Sequence, residues 1–229
     1  MKHHDSGLSF IVLGMNDEEA PQFSPDLQAL IAQHRIFSGG RRHRELVAAL
    51  LPEDALWIDI TVPLEDVYAQ YRQHDAPVVV FASGDPLFFG FTTTLMREFP
   101  GRVERTVPSF SSLQMLAHAL RLPYHDMYVV SLTGRPWHEF DRALIERRAK
   151  VGVLTDKKHT PSVIAQRMLD YGYEGYTMHI GVLLGGERQE TYSLPLEEVP
   201  GRDFAHPNCL ILEHKAPTQY AAPLGLKEL

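Results

Sequence analysis

Cysteine is nearly absent from this 229-residue chain, which carries only Cys209. A single thiol excludes an internal disulfide and any paired-cysteine metal site, and it fits a reducing compartment. Basic residues are also in short supply, with 22 Lys and Arg against 29 Asp and Glu and a net charge of -7. That balance excludes a broad polyanion-binding surface, so nucleic acid is not an expected partner. No apolar run approaches the ~20 residues that span a bilayer, and the polar start at residues 1–7 lacks a signal core. The expectation is a cytoplasmic protein with no membrane contact. His3 and His4 read as terminal residues rather than ligands, and the other histidines are scattered without ligand spacing, so no metal is expected. A Gly-x-Gly-x-x-Gly turn after the first strand and a Walker lysine motif are missing as well, which argues against nicotinamide and nucleotide enzymes.

What the chain does have is a series of short, nearly continuous apolar runs, each followed by a turn and a helical pattern. Ser9 to Leu13, Leu56 to Thr61 and Val78 to Ala82 are such runs, the last followed by a helix-like stretch from Leu87 to Phe99. Runs of this kind are parallel strands covered on both faces. A second set comprises Met127 to Ser131, Val151 to Leu154, Tyr176 to Val182 and Cys209 to Glu213. Thr160-Pro161 is an N-cap and first-turn pair for a helix that Gly172 stops. Gly185-Gly186 reads as a hairpin turn, which makes the second sheet mixed. The expected fold is α/β with two α/β domains, residues 1–104 and 105–215, and a tail or linker at 216–229.

Chemistry concentrates at the end of the third run, in Ala82-Ser83-Gly84-Asp85-Pro86-Leu87-Phe88-Phe89-Gly90. Ligands of open α/β sheets bind at the carboxyl ends of strands, and here glycine admits a close ligand while proline stiffens the loop. The same Asp-Pro pair also serves as an ordinary helix start. Phe37-Ser38-Gly39-Gly40-Arg41-Arg42-His43-Arg44-Glu45 is a glycine turn that delivers four potential cations to a helix start, an arrangement suited to carboxylates or to a solvated helix face. Arg135, followed by Trp137-His138, is a second carboxylate candidate, with a structural ion pair as its alternative. Ser111 and Ser112 are either ligand contacts or caps of the helix bearing Leu113, Leu116 and Leu120.

The loop at 82–90, together with Pro108-Ser109-Phe110-Ser111-Ser112-Leu113-Gln114, Val130-Ser131-Leu132-Thr133-Gly134-Arg135 and Pro207 to Glu213, resembles the tetrapyrrole methylases, in particular the precorrin-6Y (cobalt-precorrin-7) group. The family usually has a glycine-rich turn after its first strand, whereas here Leu13-Gly14 runs into Met15-Asn16. The resemblance implies two α/β domains of the tetrapyrrole methylase type with the active site in the cleft between them, usually in a homodimer. It implies S-adenosyl-L-methionine as cofactor, S-adenosyl-L-homocysteine as product, and a precorrin or cobalt-precorrin as substrate. Cofactor contacts would fall on Gly84, Asp85, Pro86, Phe88, Ser111, Ser112, Leu154, Thr155 and Gly181. Arg41, Arg42, Arg44, Arg135 and His138 would face the substrate's acetate and propionate groups, and Asp85 or His138 is a candidate base, with water as the alternative. The expected reaction is methylation of carbon 5 in cobalamin biosynthesis, with methylation at carbon 15 and decarboxylation left to a separate or fused domain. A non-catalytic corrinoid carrier of the same fold is the rival reading.

Overall fold

The computed structural model describes residues 7–16, 18 and 21–214. His3, His4 and the expected tail at 216–229 lie outside the described residues. The chain divides into two units, one running to Ser111 with Gly185–Glu187 and the other from Ser112 to Leu184 and onward from Arg188.

In the first unit, strands and helices alternate: β1 (Phe10–Met15), α1 (Pro25–Gln33), β2 (Ile36–Gly39), α2 (Arg41–Val47), β3 (Leu56–Asp59), α3 (Leu64–Tyr71), β4 (Val78–Ser83), α4 (Phe91–Glu98) and β5 (Val103–Val107). All five strands run parallel, in the order β3-β2-β4-β1-β5. Alternate residues of each central strand feed opposite cores, as the two-residue strand period demands. Ile11, Leu13, Val79 and Phe81 pack with Ile31 of α1 and Val47 of α2, while Phe10, Val12, Val78 and Val80 pack with Val67 of α3 and Leu95 of α4. β5 pairs with β1, so a boundary at 104/105 would cut a strand of this sheet; the unit continues to Ser111. The helix expected from Leu87 begins at Phe91, because residues 84–90 are spent on the loop.

The second unit holds α5 (Ser112–Leu120), β6 (Tyr128–Ser131), α6 (His138–Ile145), β7 (Lys150–Leu154), α7 (Pro161–Asp170), β8 (Tyr176–Val182), β9 (Glu190–Pro195) and β10 (Asn208–His214). Its sheet order is β6-β7-β10-β8-β9, with β6 parallel to β7 and the other pairs antiparallel. The mixed sheet and the hairpin through Gly185, at φ 87°, are as the sequence led one to expect. Thr160 caps α7 by accepting from the Val163 N–H, and Gly172 takes the positive φ of 76° that follows the helix. One face of this sheet buries Val151, Val153, Met178, Ile180, Leu210 and Leu212 against Phe140 of α6 and Ile164 of α7. The other face meets α5, where a Cβ on Gly152 would stand 2.9 Å from Leu113 and one on Gly181 would stand 3.1 Å from Leu116.

Candidate functional site

The topology of the first sheet singles out one place. β1 connects through α1 to β2 on one side, and its neighbour β4 connects through α4 to β5 on the other side. The two helices cover opposite faces, α1 with the core of Ile11 and Phe81 and α4 with the core of Phe10 and Val80. Adjacent strands whose crossovers leave in opposite directions open a crevice at their carboxyl ends, the usual ligand position of such sheets. Met15 of β1 registers with Ser83 of β4, so the Gly-Asp-Pro loop leaves the sheet at that crevice.

The loop is stiffly built. The Gly84 N–H donates to Met15 O at 2.8 Å, and the Ser109 N–H donates to Gly84 O at 3.3 Å. The Leu87 N–H donates to Asp85 Oδ1 at 2.9 Å and the Phe88 N–H to Asp85 O at 3.0 Å, so the candidate base has one carboxylate oxygen engaged in the turn. Gly84 adopts φ 62°, and a Cβ there would lie 3.1 Å from both Phe110 O and Ser111 Cα. Pro86 is buried and Phe88 half-buried, whereas Leu87, Phe89 and Phe110 are 51%, 41% and 58% exposed. An apolar rim of that size beside a rigid loop is the mark of a binding surface. Three of the loop's amides, those of Gly84, Leu87 and Phe88, are thus already hydrogen-bonded within the first unit. Gly14 is explained by packing, since a Cβ on it would fall 2.1 Å from Gly84 O.

Arg41, Arg42 and Arg44 occupy α2, and β2 ends at Gly39, so the expected glycine turn is a strand end followed by the helix's N-cap Gly40. Arg41 pairs with Glu45 at 3.0 Å and Arg44 approaches Asp59 at 3.8 Å, around a concavity of about 420 Å³ also lined by Ile60 and Thr61. His43, between these arginines, accepts from the Gly40 N–H through Nδ1 at 3.2 Å and reaches Ser83 Oγ through Nε2 at 2.9 Å. The cations and the Gly-Asp-Pro loop are therefore joined within the first unit.

In the second unit Leu154, Thr155, Asn208 and Gly181 meet at one end of the interior strands β7, β10 and β8. Thr155 Oγ1 lies 2.5 Å from Asn208 O and 2.7 Å from Asn208 Oδ1, and Thr133 Oγ1 donates to Thr155 O at 3.0 Å. Arg135 donates to Ser131 Oγ at 2.8 Å, and His138 is the exposed first residue of α6. Leu154 ends β7 half-buried, while Gly181 is buried and makes room for Leu184 and Leu116. Ser111 is buried just before α5, and the Ser112 hydroxyl bonds the buried Cys209 thiol, whose pKa burial pushes up to about 12.

Asp156, which sequence reasoning did not single out, organises this group of residues. Its side chain is 20% exposed and accepts from the N–H groups of Gly134, Lys158 and His159 at 2.9, 2.8 and 2.7 Å. Burial pushes the carboxyl up, but those backbone donors outweigh burial and hold it well below the usual carboxylate range. The signal that could have found it is an Asp two and three residues before Lys158 and His159, the spacing of a side-chain-closed turn. Among the described residues no group of three or more His, Cys, Asp or Glu could hold a metal ion, and no helix is long and apolar enough to cross a membrane.

A two-unit α/β chain with a glycine-kinked loop at the first sheet's crevice is a class shared with known proteins. The family profile of the Tetrapyrrole (Corrin/Porphyrin) Methylases matches residues 25–200. The chain belongs to that family. It is 30% identical over 205 residues to a cobalt-precorrin-7 C(5)-methyltransferase of Salmonella typhimurium, covering 89% of this chain and 98% of that protein. It is 33% identical over 177 residues to a decarboxylating precorrin-6Y C(5,15)-methyltransferase of a Sinorhizobium species, covering 76% of this chain but only 42% of that longer protein. Among solved structures, the uroporphyrin-III C-methyl transferase of Thermus thermophilus complexed with S-adenyl homocysteine shares the fold, with a TM-score of 0.62 at 21% identity over 90% of this chain and 91% of that one.

Proposed function

We propose that this chain is an S-adenosyl-L-methionine-dependent C-methyltransferase that methylates carbon 5 of a precorrin or cobalt-precorrin in cobalamin biosynthesis. The observation that carries the reading is the Gly-Asp-Pro loop at the sheet crevice, in a chain of the tetrapyrrole methylase family. The choice of carbon 5 rests on what the names of the two relatives have in common, since one is named for C(5) and the other for C(5,15). The methylation at carbon 15 and the decarboxylation are assigned to a separate or fused domain.

The residues present suit this cofactor. It carries no phosphate but has apolar parts, and the loop is flanked by the exposed side chains of Leu87, Phe89 and Phe110. When bound, it supplies a sulfonium-activated methyl group. In this reading Gly84, Asp85, Pro86, Phe88, Ser111, Ser112, Leu154, Thr155 and Gly181 hold the cofactor, Gly181 and Leu154 through backbone groups. Arg41, Arg42, Arg44, Arg135 and His138 hold the tetrapyrrole carboxylates. The protein's work is alignment, because bringing methyl and ring carbon to about 3 Å in line supplies several kcal/mol through proximity. Asp85, already committed to the Leu87 amide, keeps its second carboxylate oxygen for the displaced proton. A homodimer, which the resemblance implies, and a cytoplasmic location, which the single cysteine and the polar start led one to expect, complete the reading.

The test combines a calorimetric titration of the purified chain with S-adenosylhomocysteine and a product assay with labelled cofactor and precorrin intermediates. The expected outcome is saturable binding and one methyl added at carbon 5 without carbon dioxide. A folded protein that binds the tetrapyrrole but not S-adenosylhomocysteine would be the carrier instead.

A further inference from the structure

Ser83 is the last residue of β4, exposed, and immediately precedes the Gly-Asp-Pro loop. Its hydroxyl is met at 2.9 Å by Nε2 of His43, which lies 40 residues earlier on α2. The other ring nitrogen settles the direction of that bond. Nδ1 of His43 faces the Gly40 backbone N–H at 3.2 Å, and a backbone amide can only donate, so Nδ1 accepts. In a neutral imidazole the proton then sits on Nε2, which donates to Ser83 Oγ. With its oxygen fixed as an acceptor, Ser83 has its own hydrogen left to donate elsewhere. His43 thereby does two things at once: it accepts from the backbone N–H of Gly40, the N-cap of α2, and it sets the polarity of a hydroxyl on the crevice edge.

We propose that His43 is a positioning residue that orients the Ser83 hydroxyl as a hydrogen-bond donor to a ligand carboxylate at the crevice beside the Gly-Asp-Pro loop. The chemistry points to a carboxylate because the Ser83 O–H is left to donate at the crevice, and the helix that carries His43 also brings in the guanidiniums of Arg41 and Arg44, each already facing one carboxylate, Glu45 at 3.0 Å and Asp59 at 3.8 Å. The inference rests on the methylase reading, in which two ligands carry carboxylates: the cofactor in its amino-acid portion and the tetrapyrrole in its acetate and propionate arms.

The two sources separate experimentally. S-adenosylhomocysteine has the amino-acid carboxylate and methylthioadenosine lacks it, so affinities for both, together with substrate KM and kcat, are measured for the wild type and three variants. Ser83→Ala removes the donor. His43→Asn keeps an acceptor near the Nδ1 position for Gly40 but cannot reach Ser83, whereas His43→Gln places an amide N–H near the Nε2 position. Loss of one hydrogen bond to a charged group corresponds to roughly tenfold in affinity. Ser83→Ala and His43→Asn are expected to weaken one carboxylate ligand by that factor with kcat little changed, and His43→Gln to recover most of it. A weakened S-adenosylhomocysteine with unchanged methylthioadenosine assigns the carboxylate to the cofactor; a raised substrate KM with unchanged cofactor affinity assigns it to the tetrapyrrole. If Ser83→Ala and His43→Asn are folded by melting temperature and bind both ligands as the wild type does, the proposal falls. It falls equally if His43→Gln loses as much as His43→Asn. Should His43→Asn fail to fold, Ser83→Ala decides alone. A wild-type protein that binds neither ligand overturns the methylase reading, and this proposal with it.

Discussion

Replacing Gly84 with alanine separates the conformational role of this glycine from its role at a ligand surface. At φ 62° an L-residue incurs about 1–2 kcal/mol for the left-handed conformation. Part of this, about 0.4–1 kcal/mol, is offset because alanine has less freedom to lose from the unfolded chain. The added Cβ would sit 3.1 Å from Phe110 O and from Ser111 Cα, both backbone atoms that cannot swing away, so a small shift of residues 110–111 adds to the cost. The net loss should be about 1–2 kcal/mol, a fall in melting temperature of roughly 2–8 °C for a chain of this size. Gly84→Val, with its branched Cβ, should lose more stability, so the milder alanine is the better probe. Gly101 provides the control: it has φ 74° and nothing within 4 Å of where a Cβ would stand, so Gly101→Ala incurs the backbone cost without the crowding. The assay is thermal unfolding with and without S-adenosylhomocysteine at about a hundred times its dissociation constant, where bound ligand adds ~2.7 kcal/mol. Gly101→Ala should keep the full ligand-induced rise and Gly84→Ala should lose most of it. A full rise in Gly84→Ala would mean that the loop is a helix entry and the ligand sits elsewhere.

Changing Arg41, Arg42 and Arg44 together to alanine should raise the substrate's KM several-fold and flatten its salt dependence while leaving S-adenosylhomocysteine affinity unchanged, as steady-state kinetics at two ionic strengths would show. Stability should move by less than about 1 kcal/mol, because the Arg41–Glu45 pair is surface-exposed at 91% and 61%. For Asp156 the carboxyl is depressed in the folded state, so its stabilising effect is present above the ordinary carboxylate pKa of about 3.9 and is lost as pH falls through that value towards the lower folded one. Asp156→Asn should therefore lie about 1–3 kcal/mol below the wild type at pH 7, with a gap that begins to narrow only below pH ~4 and goes on shrinking as pH falls further, which melting curves across pH 2–7 would check; a gap as wide at pH 2 as at pH 7 would refute the charge's role.

Much of the fold could be read from the sequence, because strands buried on both faces write themselves as unbroken apolar runs: Val78 to Ala82 and Val151 to Leu154 each became interior strands. The Thr160-Pro161 start and the Gly185 turn were legible for another reason, namely that both signals act locally. β2 was not legible. Its four residues, Ile36-Phe37-Ser38-Gly39, include a buried serine whose hydroxyl donates to Ile58 O at 2.8 Å and, with its one hydrogen thus used, accepts from Tyr71 at 2.6 Å. Burial pushes Tyr71 up to about 12, and nothing in the local sequence announces a partner 33 residues away. β5 was hidden similarly: Val-Glu-Arg-Thr-Val has apolar residues only at its two ends, and its place at the sheet edge explains why a strand there needs so few.

The site divides along the same line between local and long-range signals. The Gly-Asp-Pro loop was visible because its turn chemistry is written in consecutive residues, whereas the bonds that orient it come from Met15, Ser109 and, through Ser83, His43. Gly14 makes the point physically. Read from the sequence it is what survives of a glycine-rich turn, but in the fold it is the only residue type that leaves room for the Gly84 carbonyl, 2.1 Å from where a Cβ would stand. A glycine kept for packing under the loop and a glycine at positive φ within it look alike in the sequence. What distinguishes them is the neighbouring backbone, which is why substituting Gly14 should collapse the loop and the fold together, while substituting Gly84 should spare the fold and cost the ligand.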